Sequence, residues 1–573
     1  MTYKDKIFFL LGDKKKSVIK FSIFYFVSGL LDLLSIGLIV PLITILLTKE
    51  TVSNFYFFNL DFFNISDDTI FIFLIFLLIL FISKSFITIL IQKKLFKFCD
   101  EIQLEIAQKL FNSFQSLDYK DFISAHKSLY IDGIAKWPGH FAQRVIKLSI
   151  STIGEFIIFF FMISVMLYTN WKVTIIIFVI IILFSFLYFS IFKRDVTYKA
   201  KLANYYSVGR TKVIEEALGN IKGTKIYNLE NTFLNLISKY IQKDLEVVRN
   251  VTVINLIPRH AFEVLAFVII FIIFFLTYKS GLNISTVFSQ LSVFLIAGLR
   301  LKPFSEILTL GLIRIRTGKD SVDRIVYFLE KSKMNNQIFT EIKMSRDFEF
   351  EKLKISNLSF NYDQKEILKN INLEINKNNL IGITGRSGSG KSTLIDIITG
   401  FLKPISGQLY VNDQLVNFDN YYLKEKIAYI TQDPYVMDET LEKNITLKTD
   451  NTYSDKKKIE DIINLLNIQE LKNRLMGDTE TIKNQIMYKK ISISGGEKQL
   501  IAIARALYFD REILILDEAT NALDQENMQR IFIYLEKLKK NKTIIIISHQ
   551  KDVLKYCDKV YNLENKTIGE LKN

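Results

Sequence analysis

Between residues 19 and 313 the apolar positions gather into six long runs, and the polar positions fill the gaps between them. The runs are Ile19–Leu47, Ile70–Gln92, Ile146–Tyr168, Val173–Phe192, Asn255–Tyr278 and Ser285–Ile313. A helix of about 20 apolar residues crosses a hydrocarbon layer about 30 Å thick, so each run predicts one membrane span. The gaps alternate in length. Thr48–Thr69, Thr169–Lys172 and Lys279–Ile284 are short, whereas 93–145 and 193–254 are long, polar and lysine-rich. Both long gaps read as helical extensions of the spans, broken at Leu117–Ile123 and Gly219–Gly223. A short transverse helix at each break would suit contact with a cytoplasmic domain; an ordinary helix–helix turn fits the same residues.

From about residue 345 the texture becomes that of a soluble α/β domain. Leu380–Thr384, Ile513–Asp517 and Thr543–Ile547 are apolar runs of strand length, as expected for strands buried on both faces. The expected organisation is a transmembrane domain over 1–318, a linker over 319–345 and an α/β domain over 346–573.

Composition sharpens this division. Hydrophobic residues make up 49% of the 573, with 48 phenylalanines, and the mean hydropathy is +0.22. The net charge of +15 raises the question of nucleic acid. Its placement answers it: Lys14, Lys15, Lys16, Lys20 and the lysines of the long gaps flank the spans, where positive charge marks the cytoplasmic side. The N-terminus and long loops are therefore expected in the cytoplasm, and six spans return the chain there for its α/β domain. No nucleic-acid partner is expected. Cys99 and Cys557 lie far apart and predict neither a disulfide framework nor a zinc site. The first apolar run is too long for a cleavable signal.

Several ionisable residues fall inside spans: Lys84, Glu155, Arg259, Glu263, Arg300 and Lys302. A cation at a span centre costs about 2.5–3.5 kcal/mol, so such groups face a bundle interior or a wet cavity. Ion pairing within the bundle, for example Arg259 with Glu263, is the plain alternative. Cations outnumber the carboxylates, which favours a cavity for an anionic group such as phosphate. The segment Asn54–Ile65 is densely aromatic and reads as an interfacial helix or a hydrophobic connector.

The chemistry sits in the second half. Gly385-Arg386-Ser387-Gly388-Ser389-Gly390-Lys391-Ser392 follows an apolar strand and has phosphate-loop spacing. Its glycines let backbone N–H groups close on phosphates, Lys391 reaches the β/γ-phosphates and the Ser392 hydroxyl suits Mg²⁺. Gln432 ends a short strand, where its amide suits Mg²⁺ or the attacking water. Ser494-Gly495-Gly496-Glu497 opens a helix and forms a second anion-binding helix start. Ile513–Asp517 ends in two carboxylates: Asp517 suits Mg²⁺, and Glu518 suits polarisation of a water attacking a γ-phosphate. His549 follows Thr543–Ser548 at a strand's carboxyl end, where α/β sheets bind ligands. Each motif has an ordinary structural reading; their joint occurrence in this order does not.

Residues 346–573 resemble the nucleotide-binding domain of an ATP-binding-cassette transporter, and the whole chain resembles a bacterial half-transporter of the exporter type. The fold class implied is a six-helix, all-α transmembrane domain of the type I exporter kind followed by an α/β P-loop domain. The resemblance implies that Tyr362 stacks on adenine and that Gly385 through Thr393 form the Walker A loop. Gln432 would be the Q-loop residue, Ser494 to Glu497 the signature, and Asp517 and Glu518 the Walker B aspartate and catalytic glutamate. Asn521–Asp524 would be the D-loop, bringing Asp524 to the nucleotide, and His549 the switch histidine. ATP and Mg²⁺ are the implied cofactors, and a head-to-tail homodimer the implied assembly, each ATP lying between Walker A of one subunit and the signature of the other. Departures from the family pattern are Glu497 in place of glutamine, Leu500 in place of arginine, and Met487-Tyr-Lys-Lys490 in place of the exporter's Gly-Glu-Arg-Gly.

Within the exporters the membrane half resembles flippases of lipid-linked oligosaccharides of the PglK type. The resembling stretches are Ser35–Pro41, the aromatic outer segment, Pro258-Arg259, Arg300–Pro303 and the basic Lys84. That likeness implies Lys84, Arg259 and Arg300 as contacts for a pyrophosphate headgroup, in the bacterial inner membrane. An exporter of another amphiphile, such as a lipid A-type glycolipid, drug or peptide, is the alternative, and an ATP-driven regulator that moves no substrate is a more distant one.

Overall fold

The computed structural model describes residues 1–38, 67–279, 318–332, 348–416, 421–448, 455–475, 493–519 and 525–571. They divide into two compact units: Met1–Leu117 with Phe122–Asn335, and Asp118–Asp121 with Asn336–Asn573. The aromatic segment Asn54–Ile65, the sixth expected span with Arg300 and Lys302, residues 487–490, and Asn521–Asp524 lie outside the described residues. So does the Arg259 side chain.

The first unit is helical throughout its described part. Its helices are α1 (Tyr3–Leu11), α2 (Lys15–Gly37), α3 (Asp67–Gln115), α4 (Tyr119–Ser124), α5 (Lys127–Gly139), α6 (Leu148–Gly219), α7 (Ile221–Ile226) and α8 (Glu230–Lys279); residues 318–332 form α9. Local chemistry fixes the starts and breaks. Thr2 and Asp5 form a reciprocal capping box at the start of α1, satisfying two orphan backbone donors. Pro138, inside α5, has no N–H to give, and the next turn, His140–Lys147, is a π-helical widening before α6.

Helix α6 is helical over all 72 residues, yet it doubles back on itself. Thr174 Oγ1 donates to Met166 O at 2.8 Å, and the Phe159 and Phe178 rings stack at 6.5 Å. Along a straight helix positions 166 and 174 would be about 12 Å apart, and positions 159 and 178 about 28 Å. The chain reverses where the short join Thr169–Lys172 is expected. Its second limb then runs along α8: Tyr188 Oη donates to Ile254 O at 3.2 Å, and Arg210 meets Asp244 at 3.3 Å. Helices α4 and α7 stand at the two breaks read from the sequence.

One face of α3 is apolar and exposed, including Phe71, Ile72, Phe76, Ile79, Ile82, Phe86 and Ile89. So continuous an apolar surface suits hydrocarbon, not water. Among the described residues, Phe71–Gln115 and Thr174–Phe192 are long and apolar enough to cross a membrane. Away from that band, Leu95, Ile102, Ile106 and Leu110 of α3 are buried with Phe141, Ile150, Val322 and Ile325. Each such side chain contributes about 1.5–3 kcal/mol by leaving water. Helix α9 belongs to this core: Ser113 Oγ donates to Phe328 O at 2.7 Å, and Lys6 pairs with Asp323 at 2.6 Å. The expected linker over 319–345 thus begins as a packed helix, because Val322, Ile325 and Val326 need burial.

The second unit has two sheets. A four-stranded antiparallel sheet runs in the order β2 (Lys365–Asn376), β1 (Lys352–Tyr362), β4 (Ser406–Val411), β5 (Gln414–Val416). A six-stranded sheet runs β10 (Thr567–Leu571), β9 (Lys559–Glu564), β3 (Leu380–Thr384), β8 (Thr543–Ile547), β7 (Ile513–Asp517), β6 (Ile427–Ile430). Strands β9, β3, β8, β7 and β6 are mutually parallel, and every residue of β7 and β8 is buried. Helices α10 (Lys391–Ile398), α11 (Leu441–Thr446), α12 (Lys456–Leu466), α13 (Gln469–Leu475), α14 (Gly495–Phe509), α15 (Gln525–Leu538) and α16 (Lys551–Leu554) complete the unit. Parallel strands place all their carboxyl ends on one edge, and there the candidate residues meet.

Candidate nucleotide site

The loop leaving β3 is shaped by glycines that no other residue replaces cheaply. Gly385 has φ +146°, and a Cβ there would meet Leu563 O at 2.4 Å. Gly390 has φ +106° and caps α10. Lys391 is buried and folds back over the loop, donating to Gly385 O at 2.9 Å and Arg386 O at 3.0 Å. Burial pulls its ammonium below the usual lysine range, against the opposing pull of Glu518 and Asp517. The Ser389 hydroxyl is buried without a hydrogen-bond partner in the structure, the kind of orphaned group that a phosphate oxygen would satisfy. Arg386, Ser387, Gly388 and Ser392 are exposed around it. Tyr362, half-buried at the end of β1, has the Thr393 side chain close by, so the expected adenine platform lies beside the helix that follows the loop.

The neighbouring strand ends supply the acids and their partners. Asp517, the last residue of β7, is buried and accepts from Tyr429 Oη at 3.0 Å. Burial, with the Glu518 charge, holds its carboxyl above the usual aspartate range despite Tyr429 and Lys391. Such an under-compensated carboxylate beside a phosphate loop is a fitting donor for a hard divalent cation. Glu518 then turns into the left-handed region, φ +50°, a strain of about 1–2 kcal/mol for a residue with a Cβ. Its N–H donates to Ile547 O at 3.0 Å. The turn aims the carboxylate at two other strand ends. Gln432 Nε2 donates to Oε2 at 2.9 Å, and His549 Nε2 lies 3.1 Å from Oε1. One carboxylate thus collects β6, β7 and β8.

Ser494 caps α14 in a capping box with Glu497, and Gly495 and Gly496 form its first turn. Arg474 of α13 pairs with Glu497. Asp524 lies outside the described residues. Sequence reasoning missed Tyr429 as a partner of Asp517, Arg474, and Asp396, whose half-buried carboxyl is pushed up to about 6 by burial and the Asp517 charge. The parallel register Tyr429↔Ile515 brings the tyrosine beside the end of β7, which only strand pairing reveals.

Known proteins share both halves. Residues 368–521 match the family model described as ABC transporter, and residues 143–299 the one described as ABC transporter transmembrane region. The chain superposes on a bacterial Atm1-family ABC exporter solved with ATP bound, with a TM-score of 0.72, 16% identity, and coverage of 98% of this chain and 95% of that one. The chain has the ABC exporter fold. Its second unit is an ABC transporter ATP-binding domain, and the whole is a membrane protein.

Curated relatives agree over part of their length. A probable ABC transporter ATP-binding/permease protein of Haemophilus influenzae is 34% identical over 216 residues, 37% of this chain and 38% of that protein. An ATP-dependent lipid A-core flippase of Salmonella typhimurium is 34% identical over 221 residues, 38% of this chain and 37% of that protein. The chain spans less than two thirds of the length of the curated relatives it matches.

Membrane-half candidates are placed unevenly. Lys84 is half-buried in α3, its ammonium 5.3 Å from the centre of the Phe81 ring. One turn on, Thr88 shares a hydrogen bond with Ser28 of α2 at 3.1 Å, so this is the face α3 turns to its neighbours. Glu263, proposed as a partner for Arg259, has His260 Nδ1 at 3.2 Å.

Proposed function

We propose that two copies of this chain hydrolyse ATP to flip a polyprenyl-pyrophosphate-linked oligosaccharide from the cytoplasmic to the outer leaflet of a bacterial inner membrane. The observation that carries the ATPase is the meeting of Gln432, Glu518 and His549 beside the glycine loop. ATP is the substrate of that site: Gly385 to Thr393 cradle its phosphates, Tyr362 supports the adenine, and Glu518 polarises water for attack on the γ-phosphate. Mg²⁺ bound there would be held by Ser392, Gln432 and Asp517 and would neutralise charge on the phosphates.

Dimerisation follows from the signature, which completes an ATP site only across subunits. It is supported by the exposed apolar tip of the second loop, where Ile221, Ile226 and Tyr227 are open to solvent. Asp118–Asp121 of the first loop count with the ATP-binding unit, within which the Tyr119 and Phe401 rings lie 5.4 Å apart. Such loop contacts suit transmission of nucleotide-driven closure to the spans.

The cargo rests on charge. Lys84 on the face of α3 that meets α2, with Arg259 and Arg300 as further contacts, suits a pyrophosphate. A lipid A-type glycolipid is the second reading, favoured by the likeness to the lipid A-core flippase. The test is flipping in proteoliposomes of fluorescent polyprenyl-pyrophosphate glycan beside a lipid A precursor. The proposal expects the first to move and neutralisation of Lys84, Arg259 and Arg300 together to stop it. Transport of the lipid A precursor alone, or flipping that survives the triple change, overturns it.

A further inference from the structure

The acidic residue of the signature carries its own counter-charge. Glu497 stands at the third position of α14, and its carboxylate is divided between two donors. Ser494 N–H donates to Oε2 at 2.7 Å, while Ser494 Oγ accepts from Glu497 N–H at 3.2 Å. The Arg474 guanidinium donates to the other oxygen, Oε1. The glutamate side chain is 22% exposed and the arginine 47%. Burial works to raise the Glu497 carboxyl, but Ser494 and Arg474 outweigh it and hold it below the usual glutamate range. The next residue, Lys498, faces Asp433 at 3.6 Å instead.

A glutamate in a capping box strengthens a helix start. It also sets a negative charge where the helix end would otherwise favour an incoming anion. The helix end that Glu497 occupies is the one the proposed function gives to the γ-phosphate of ATP held by the partner. Two anions at one helix start repel. A glutamine there would leave no charge to cancel.

We propose that Arg474 is a positioning residue for closure on ATP: it neutralises Glu497 and pins its carboxylate against the N-cap, so that Ser494 and the glycine N–H groups can receive the γ-phosphate. This deepens the proposed function and rests on it. Its role runs through Glu497, the residue it pairs with, and not through the nucleotide itself.

The experiment uses the full chain in detergent or nanodiscs, with R474Q, R474K, E497Q and the double R474Q/E497Q. ATPase kinetics are read against ATP and salt, and equilibrium binding is read with Mg²⁺ and a non-hydrolysable ATP analogue. In the unaltered background R474Q raises KM and weakens analogue binding about tenfold with kcat at saturation little changed, and the defect shrinks in high salt. R474K stays close to the unaltered chain. In the E497Q background, adding R474Q changes KM by less than about twofold, because the charge to be cancelled is gone. An equal loss in both backgrounds marks Arg474 as a plain tie between α13 and α14 and overturns the proposal, as does no loss in either. A chain that neither binds the analogue nor hydrolyses ATP overturns the function reading itself, and this inference with it; the other failures leave that reading standing.

Discussion

Glu518 Oε1 lies 3.1 Å from His549 Nε2 across the ends of two adjacent parallel strands. The contact depends on the left-handed turn of Glu518, which directs the side chain along the strand-end edge. Gln432 takes the other carboxylate oxygen from the opposite side. A general base held by a hydrogen bond from Gln432 and a close contact with the His549 imidazole is already oriented before a water reaches it. E518Q is expected to lower kcat for ATP hydrolysis by about 10²–10³-fold while ATP binding persists. Phosphate release alongside nucleotide binding checks it; unaltered turnover would remove Glu518 from the chemistry.

Because His549 acts through the same carboxylate, its loss and the loss of Glu518 are not independent. H549A is expected to lower kcat with KM for ATP little changed, and adding it to E518Q should cost far less than the product of the two single effects. Additive losses, measured as the ratio of kcat values around the four-variant square, would separate the two residues.

The phosphate loop makes a steric prediction. G385A sets a methyl group 2.4 Å from Leu563 O at a φ of +146°, so either the loop or β9 must shift. Nucleotide affinity is expected to fall at least tenfold, with the cassette destabilised by about 1–3 kcal/mol. Equilibrium binding and thermal unfolding read the two effects separately. Normal affinity would mean that the loop adopts another backbone path.

What the sequence made legible follows from burial on both faces and from backbone conformation. Leu380–Thr384, Ile513–Asp517 and Thr543–Ile547 have no polar alternation because both sheet faces are covered, so each reads as a central strand. The glycine loop was legible because positive φ restricts the residue type. The short join Thr169–Lys172 was legible from hydropathy alone. Contacts that bridge distant positions were not: Tyr429 with Asp517 and Arg474 with Glu497 depend on strand register and helix packing, and neither has a local signature. Helix α9 falls at the start of the expected linker, and the burial of its Val322, Ile325 and Val326 against α3 and the π-helical turn is a long-range contact with no local signature.

Lys84 gives the membrane half a separable prediction. It is half-buried on the face of α3 that meets α2, with its ammonium beside Phe81. If it engages a phosphate-bearing headgroup, K84Q removes substrate stimulation of ATPase and leaves ATP affinity intact. K84R restores most of it, because a guanidinium also serves phosphate. ATPase titrated with polyprenyl-pyrophosphate glycan in nanodiscs reads this, and equal stimulation of K84Q would place the headgroup elsewhere.

Asp396 yields a pH prediction whose sign is fixed. Burial and the Asp517 charge push its carboxyl up to about 6 from an ordinary value of 3.8. A carboxyl raised on folding favours the folded state while protonated in both states, and that contribution is lost as pH rises through about 6. At pH 7.5 the ionised Asp396 therefore opposes folding. D396N keeps the shape and removes the charge. Partial exposure of the carboxyl lets solvent screen much of the effect, leaving about 1 kcal/mol. In nucleotide-free protein this is a gain of about 2–4 °C in the unfolding temperature of the cassette at pH 7.5. Near pH 4 the gain should vanish, since the native carboxyl is then protonated when folded. Equal melting of D396N and the unaltered chain at both pH values would mean that Asp396 stays hydrated, and a larger gain at pH 4 than at pH 7.5 would reverse the sign of the linkage.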